Sequence, residues 1–465
     1  MNSTDTLISE IEAYCRQTGI AESTFGRHVV NDGKFVRRLR AGKYTTTATL
    51  DKVQAFIRSH SAAADNRPSS VAEAPSPHNS QPPSQNLTAD DTSRRSFRFY
   101  DNRQKYLLFV NTCSEKWVIA ERVGMELVHL HPQPPALRIF DAGMGDGTVL
   151  TRVMRHMHNR FPTLPFYIVG KEISLEDVRL SLEKMPDRFY EHPATVLIAT
   201  NLYYTEAPRL MPRSLSAAAA LNWHEVSLSG TTAHEFEEQI TALQPLLADG
   251  WQVRPSATTG NPLYVRPSVL ILYREDHKFL LDQSIPKPGR AQGQYDLLIA
   301  SQPYRARMPI DFKIKKVLAP LAQSLLPGGR MLVVQSFGQD PGLEVIRRVW
   351  PGEDPFQTNR HQLLKVLKAE LGRTERDLRF NAYADKRAIF RYDMHTLPSE
   401  IGSNIGTSTL FAAWNAATYV AQIEDDRLEE VMFRGTYLDA TRDVLQKNGG
   451  LWFLDESFVV SRRRR

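Results

Sequence analysis

Three glycines at alternate positions, Gly143, Gly145 and Gly147, have the spacing in this sequence that points most clearly to chemistry. They follow Asp141, where the apolar run 137–140 ends. Glycine lets the backbone turn sharply and lets a ligand approach the peptide groups. Apolar residues then recur at helical spacing, and the free N–H groups at the start of a helix favour an anionic group. The pattern predicts a buried strand, a tight turn and a helix beside a ligand.

Further apolar runs ending in polar residues predict more strands of the same sheet. They cover residues 166–172, 194–201 and 294–300, and a fifth run at 331–337 follows the turn Leu-Pro-Gly-Gly. Helical patterns lie between most of them, which is typical of a parallel sheet. In such a sheet, ligands bind outside the carboxyl ends of the strands. We therefore expect the residues that end these runs to surround one site.

The order D-x-G-x-G-x-G from Asp141 to Gly147 resembles motif I of the class I (seven-strand, Rossmann-like) S-adenosylmethionine-dependent methyltransferases. It differs from the dinucleotide fingerprint G-x-G-x-x-G because the third glycine comes one residue early. The resemblance covers roughly residues 105–340. It implies an α/β fold: a Rossmann-like, mostly parallel seven-strand sheet with helices on both faces, to which a small all-α N-terminal domain is added. The antiparallel seventh strand would be the terminal run 451–461.

The same resemblance implies S-adenosyl-L-methionine as the cofactor. In that family, an acid at the end of the second strand accepts hydrogen bonds from both ribose hydroxyls, and a carboxylate suits this because it offers two acceptor oxygens. A residue after the third strand contacts adenine. The cofactor-binding residues implied here are Asp141, Gly143, Gly145, Gly147, Glu172 and Asn201.

The segment Ser301-Gln302-Pro303-Tyr304 resembles the [N/D/S]-P-P-[Y/F/W] loop of methyltransferases that act on amino nitrogens. There the polar residue and a backbone carbonyl accept hydrogen bonds from the substrate NH2 group, and the aromatic ring stacks on the planar target. Ser301 and Tyr304 are therefore our candidate catalytic residues. Gln302 stands where the family has its first proline, so a substrate-lining loop for another acceptor stays open.

Residues 1–60 predict a small helical domain that resembles helix-turn-helix domains of the phage-repressor type. In such domains the third helix, here residues 35–40, enters the major groove of DNA. Lys34, Arg37, Arg38 and Arg40 would then meet phosphates or base edges. The alternative is a four-helix protein-interaction module with a solvated basic face.

Length, composition and charge indicate how many domains the chain has and how they are arranged along it. A chain of 465 residues suggests two or three domains, and a net charge of +6 permits a nucleic-acid partner without requiring one. Residues 61–95 are rich in proline and serine and predict a disordered linker. Residues 96–461 form the larger domain, with an insertion at 205–293, a helical cover at 396–450 and a basic tail at 462–465. We expect the insertion to contain a hairpin at 267–281 and to lie near the site, as a candidate substrate lid.

Several classes of protein are disfavoured. Cys15 and Cys113 form neither a disulfide framework nor a zinc motif, and no histidine pair has metal-ligand spacing, so we expect no metal. No apolar run approaches the roughly 18 residues that span a bilayer, and no signal pattern is present. We expect a cytoplasmic protein without a membrane partner; the oligomeric state stays open.

The sequence favours an S-adenosylmethionine-dependent methyltransferase, with an amino nitrogen on nucleic acid or protein as one candidate acceptor. Methyl transfer from a sulfonium uses an activated donor, so the protein mainly has to align the two partners. A transcriptional regulator that binds the cofactor and DNA without turnover fits the same residues. A nicotinamide-dependent oxidoreductase fits the glycine spacing and the Ser301–Tyr304 loop less well.

Overall fold

The computed structural model describes residues 3–18, 22–30, 35–40, 53–54, 56–57, 103–255, 262–396, 398–402 and 404–464. The chain divides into two compact units, Met1–Asn86 and Leu87–Arg465. The predicted linker at 61–95 lies outside the described residues, as does Lys34.

The first unit contains the helices α1 (Ser3–Thr18), α2 (Glu22–Val30) and α3 (Phe35–Arg40). Their apolar side chains form one core, with Ile11, Phe25 and Leu39 almost fully buried. The third of these helices covers residues 35–40, as predicted.

The second unit is built on a large sheet. Its strands are β1 (Leu137–Asp141), β2 (Phe166–Lys171), β3 (Thr195–Thr200), β4 (Asn222–Leu228), β7 (Ser268–Arg274), β8 (Tyr295–Ser301), β9 (Leu325–Ser336), β10 (Leu378–Asn381), β11 (Ile389–Asp393) and β12 (Trp452–Arg462). A separate antiparallel pair consists of β5 (Val253–Pro255) and β6 (Pro262–Tyr264).

The strand order confirms the predicted Rossmann-like α/β class. The order is β10-β12-β9-β8-β1-β2-β3-β7-β4, and β11 pairs with β12. The strands β3, β2, β1, β8 and β9 are parallel, and β12 is antiparallel to β9, as expected for the terminal strand. The sheet is longer than the seven strands expected, because β7 and β4 extend it beyond β3.

Helices cover both faces of the sheet. They are α4 (Arg103–Thr112), α5 (Glu115–Leu127), α6 (Thr148–Arg160), α7 (Leu175–Glu183), α8 (Pro186–Glu191), α9 (Leu215–Ala219), α10 (Ala233–Thr241), α11 (Gln244–Gly250), α12 (Lys278–Leu281), α13 (Ile310–Phe312), α14 (Ala319–Gln323), α15 (Pro341–Val349), α16 (Arg360–Leu371), α17 (Asp385–Ala388), α18 (Thr407–Val420), α19 (Asp425–Arg434) and α20 (Thr436–Asn448). A π-helical stretch (Lys313–Leu318) joins α13 to α14, and 3-10 turns lie at Ala207–Arg209, Glu275–His277 and Pro398–Ile401. None of the helices described is both long enough and apolar enough to cross a bilayer.

The alternation of side chains along the central strands places one apolar layer on each face. On β1, Phe140 packs on the face that carries the π-helical stretch and α16, whereas Ile139 packs on the face that carries α5, α6 and α7. A third core joins α4, α15, α18 and α20 beside β12, and Trp414 is buried in it against Trp350 and Tyr437.

The insertion differs from the hairpin that we expected at 267–281. Residues 268–274 form one strand, β7, which lies between β3 and β4, and a turn and α12 follow it. Every residue of β7 is buried, because both faces of the sheet are covered here, which explains why its run is apolar and does not alternate with polar residues. Apolar residues of α12 are instead exposed, including Phe279.

In α5, the aromatic Trp117 lies outward and the charged Arg122 lies inward. The Trp117 side chain is half exposed and stacks with Arg152. Arg122 is buried, and its guanidinium donates to Glu126 at 2.7 Å. Arg330 on β9 donates to the same carboxylate at 2.7 Å, and the Arg122 Nε atom donates to Ser457 on β12 at 3.2 Å, so two guanidinium groups share one buried carboxylate.

Candidate active site

In the sheet, β2 lies on one side of β1, and the later strands β8 and β9 lie on its other side. At this change of direction, the carboxyl ends of β1 and β8 open a cavity of about 230 Å³, which we term the first cavity. The turn after β1, the residue after β2 and the loop after β8 line it, together with residues from α4, α5 and the end of α18. The ends of β1, β2, β8 and β9 therefore meet at one place, as predicted, whereas the end of β3 does not line it.

Five of the eight predicted site residues line the first cavity. Asp141 and Gly147 lie behind the lining and shape the turn, and Asn201 lies outside the lining altogether. The five lining residues are Gly143, Gly145, Glu172, Ser301 and Tyr304.

The glycine turn requires glycine at two of its three positions. Gly145 and Gly147 have φ angles of +55° and +79°, which side chains disfavour. A Cβ atom on Gly147 would stand 2.8 Å from the Cα atom of Ser181, and one on Gly145 would stand 2.9 Å from the Tyr106 hydroxyl. The turn is therefore packed tightly against α7 on one side and α4 on the other.

Glu172 is fixed by three backbone N–H groups. Its Oε2 atom accepts a hydrogen bond from Gly145 at 2.7 Å, and its Oε1 atom accepts from Ile173 at 2.6 Å and Ser174 at 2.9 Å. An ionised carboxylate has about four lone-pair sites, so capacity remains for a ligand hydroxyl. The acid thus ties the end of β2 to the glycine turn and presents an oriented acceptor to the first cavity.

Two acids of the turn have supporting roles. Asp141 accepts from the Gly143 N–H at 3.2 Å, and burial raises its pKa to about 7. Burial also opposes ionisation of Asp146, but hydrogen bonds from Lys184 and Thr148, each 2.5 Å, outweigh it and lower the pKa. Tyr106 donates to Asp146 at 3.1 Å, which joins α4 to the turn.

Asn201 is not placed for the adenine contact that we expected. Its Nδ2 atom donates to the carbonyls of Gly250 and Arg266 at 2.9 and 3.1 Å, and its Oδ1 atom accepts from the Ser268 N–H at 2.8 Å. Because β7 pairs with β3 in this chain, the residue after β3 joins the insertion to the sheet instead of lining the cavity.

The backbone of the loop after β8 shows why Gln302, and not proline, stands at the second position of this loop. Gln302 has a φ angle of +47°, whereas a proline ring fixes φ near −65°. The Gln302 N–H donates to Val334 at 2.9 Å, and its Nε2 atom donates to Ser336 at 3.1 Å. The Ser301 hydroxyl oxygen is buried, and no hydrogen-bond partner for it exists among the residues described.

Tyr304 is held by a chain of side chains. Its hydroxyl donates to Gln335 at 3.0 Å, Gln335 donates to Glu456 at 2.8 Å, and Arg360 donates to Glu456 at 2.9 Å. Burial raises the pKa of Tyr304, so the phenol stays protonated. The Lys313 ammonium lies 5.1 Å from the ring centroid. The ring is therefore fixed, as the predicted stacking role would require.

Sequence reasoning missed several lining residues. Lys171 lies beside Glu172 with its ammonium 4.7 Å from the centre of the Tyr204 ring, and burial lowers its pKa to about 8. Tyr204 donates to the Pro303 carbonyl at 3.0 Å and so joins the start of the insertion to the loop after β8. Tyr106 belongs to an aromatic run that was visible in the sequence, but nothing in the run indicated which ring meets the turn.

The basic residues predicted to contact nucleic acid lie in the first unit. The Arg40 guanidinium is paired with Glu12 at 2.6 Å and with Glu22 at 2.5 Å. Arg37 and Arg38 are exposed on α3. Part of the predicted positive charge is therefore balanced within the unit itself.

No protein-family model matches the chain, and no curated protein sequence matches it. Among solved structures, it is similar to plantazolicin methyltransferase BpumL in complex with SAH (10% identity, 80% of this chain, 96% of that chain, TM-score 0.28). It is also similar to a geranyl diphosphate methyltransferase in complex with GPP and sinefungin (13% identity, 74% of this chain, 77% of that chain, TM-score 0.27). A third similar structure is PKMT2 from Rickettsia typhi in complex with AdoHcy (12% identity, 75% of this chain, TM-score 0.26). This chain spans 53% of the length of that protein. Likenesses this loose do not bear on the function of this chain.

Proposed function

We propose that this chain is an S-adenosylmethionine-dependent methyltransferase. The observation that carries the proposal is the Glu172 carboxylate, fixed 2.7 Å from the Gly145 N–H at the wall of the first cavity. Gly143, Gly145 and Glu172 would hold the cofactor, with Asp141 and Gly147 shaping the turn beneath it. One hydroxyl of a ribose suits the remaining acceptor site of Glu172.

When bound, the cofactor supplies an activated methyl group on a sulfonium. The chain then has to align the acceptor and exclude water, which is worth up to about 7–11 kcal/mol when the geometry is right. The fixed ring of Tyr304 and the buried Ser301 hydroxyl lie in the same cavity as the proposed cofactor residues. Because these residues lie in one cavity, methyl transfer is favoured over cofactor binding without transfer.

The proposed acceptor is an amino nitrogen. The Ser301 oxygen is free to accept a hydrogen bond from an NH2 group, and the Tyr304 ring offers a face for a planar target. A buried acceptor without a partner costs free energy, so a donor from the substrate would satisfy it. Gln302 stands where the resembled family has its first proline, and its φ of +47° gives this loop a backbone that a proline could not adopt.

Methyl transfer separates this proposal from a cofactor-binding regulator. Full-length protein is incubated with methyl-labelled S-adenosylmethionine and with pools of DNA, RNA or protein. Label that enters one pool with the wild type, and not with the Ser301→Ala variant, supports the enzyme. Binding of S-adenosylhomocysteine without transfer to any pool supports the regulator, and binding of NADH in its place supports the oxidoreductase.

We also propose that the first unit directs the enzyme to nucleic acid through Lys34, Arg37 and Arg38. Because Arg40 is paired, it contributes less than the sequence suggested. Fluorescence anisotropy with labelled duplex DNA and RNA at 50 and 200 mM salt tests this, since phosphate contacts make affinity fall as salt rises. Affinity that does not change with salt, or no binding, would contradict a nucleic-acid target.

Both cysteines are buried and unpaired, which fits the cytoplasmic location that we propose.

A further inference from the structure

Lys171 is a buried cation in the wall of the first cavity. The residue is only 6% exposed, and its ammonium makes no hydrogen bond or ion pair with any residue that the structure describes. The ammonium lies instead 4.7 Å from the centre of the Tyr204 ring. An ammonium group has three N–H donors, and a buried charge is costly unless it is paired. Lys171 is therefore a donor group that a ligand in the cavity could satisfy.

Other lysines of the site are paired within the chain. Lys116 also lines the first cavity, and its Nζ atom lies 3.2 Å from Oε2 of Glu115. Lys313, which lies over the Tyr304 ring, donates to the carbonyl of Ala306 at 2.7 Å. Among these three lysines, Lys171 alone lacks a partner from the described part of the chain.

The alternation of side chains along β2 places Lys171 on the acceptor side of the sheet. Val169 packs on the face that carries the π-helical stretch, and the Tyr304 ring packs against the same layer. Ile168 packs on the opposite face, which carries α6 and the glycine turn before it. Lys171 is two residues after Val169 within the strand and so shares its face.

The Tyr204 ring connects Lys171 to the loop after β8. The Tyr204 hydroxyl donates to the Pro303 carbonyl at 3.0 Å, so the ring that faces the ammonium is bonded to the loop that carries Ser301 and Tyr304. All of these residues line the first cavity. A molecule held by the loop would therefore lie in the same cavity as the Lys171 ammonium.

We infer that Lys171 binds an oxyanion of the methyl acceptor, so that the acceptor is a planar amine that carries a carboxylate or a phosphate. The inference rests on the proposed function, in which Ser301 accepts from the amino group and the Tyr304 ring stacks on the target. An anion would satisfy the ammonium donors with charge-assisted hydrogen bonds and would balance the buried charge. Lys171 thus selects the acceptor and takes no part in breaking the bond between sulfur and the methyl group.

Calorimetric titration of the full-length protein, saturated with S-adenosylhomocysteine, tests the inference with two matched pairs of probes. Para-aminobenzoate and para-aminobenzamide differ in a carboxylate, and cytidine monophosphate and cytidine differ in a phosphate. The wild type should bind the charged member of one pair about tenfold or more tightly than its neutral partner, and that pair identifies the anion.

Two variants show whether Lys171 causes the preference. Lys171→Met should bind both members of the pair alike, whereas Lys316→Met, which replaces an exposed lysine of the π-helical stretch, should keep the preference. Both variants should bind S-adenosylhomocysteine within about twofold of the wild type. Thermal unfolding confirms that each variant is folded, and Lys171→Met should melt no earlier than the wild type, because it removes a buried charge that has no partner among the described residues.

A wild type without a preference in either pair, or a preference that Lys171→Met retains, would overturn the inference and leave the cofactor in place. A tenfold loss of affinity for S-adenosylhomocysteine in Lys171→Met would assign the ammonium to the cofactor and would also overturn it. A wild type that does not bind S-adenosylhomocysteine would instead overturn the proposed function, and the acceptor contact with it.

Discussion

The two halves of the first cavity are held in different ways. In the half proposed to bind the cofactor (the cofactor half), Glu172 is fixed by three backbone N–H groups from its own turn and the glycine turn. In the half proposed to bind the methyl acceptor (the acceptor half), Tyr304 is fixed by side chains that come from β9, α16 and β12. The first half is a local structure that a short motif specifies, whereas the second depends on residues that only the complete sheet brings together.

This difference predicts that the two halves are disrupted by different kinds of substitution. The acceptor half should fail when a buried charge loses its partner, because its last link is the ion pair of Arg360 and Glu456, both almost fully buried. The cofactor half should fail when a side chain enters the glycine turn. Neither change should reproduce the effect of the other on ligand affinity.

The largest expected effect is that of Arg360→Met. It leaves the Glu456 carboxylate buried without its guanidinium, which costs about 3–5 kcal/mol of the free energy of unfolding. Urea unfolding measures the loss. Arg348→Met is the control, because that arginine pairs with Asp443 at the surface and should cost less than about 1 kcal/mol. Equal losses in the two variants would contradict the role given to the buried pair.

Gly147→Ala comes next. The left-handed φ and the contact with the Ser181 backbone together should cost about 2–4 kcal/mol in urea unfolding. Gly289→Ala is the matched control: it has a φ of +72° but no atom within 4 Å of the new methyl group, so only about 1 kcal/mol is expected. If Gly147→Ala were as mild as its control, the turn would not be packed as described.

A pH-dependent effect is expected at Asp141. Burial raises its pKa from 3.8 to about 7, so the folded chain binds this proton more tightly than the unfolded chain. The resulting stabilisation is complete below pH 4 and is lost as the pH rises through 7. Relative to Asp141→Asn, the wild type should therefore become less stable between pH 4 and pH 7, as measured by urea unfolding at each pH. A constant difference across this range would contradict the assignment.

The smallest expected effect on stability is that of Ser301→Ala. Its hydroxyl oxygen has no partner among the described residues, so the substitution leaves no group newly unsatisfied. The free energy of unfolding should stay the same or rise, because a buried hydroxyl without a partner is removed. The affinity for S-adenosylhomocysteine should change by less than about twofold. Methyl transfer should fall sharply. Full transfer activity in this variant would remove Ser301 from the acceptor half.

The contrast between the halves also explains what the sequence could predict. Asp141, the glycines and Glu172 lie directly after apolar runs, so strand periodicity and turn chemistry were enough to place them together. The position of the loop after β8 followed from the same pattern, whereas the antiparallel β12 was implied by the resemblance to class I methyltransferases. The turns that follow the strands depend on residues close in sequence.

What the sequence could not predict depends on distant pairings. Asn201 was misplaced because β7, nearly seventy positions along the chain, pairs with β3 and captures its side chain. The burial of Arg122 could not be predicted, because its environment is set by Glu126 together with Ser457 on the distant strand β12. The contact of Trp251 with Glu172 likewise requires the insertion to return to the end of β2.

The most direct test of the central claim is calorimetric titration of S-adenosylhomocysteine into the wild type, Glu172→Gln and Glu183→Gln. Glu183 is an exposed acid on the adjacent helix α7 that pairs with Arg179, so it controls for loss of one charge. We predict binding by the wild type and Glu183→Gln with similar affinity, and about a tenfold or greater loss in Glu172→Gln. Equal affinity in all three proteins, or no binding by the wild type, would contradict the account.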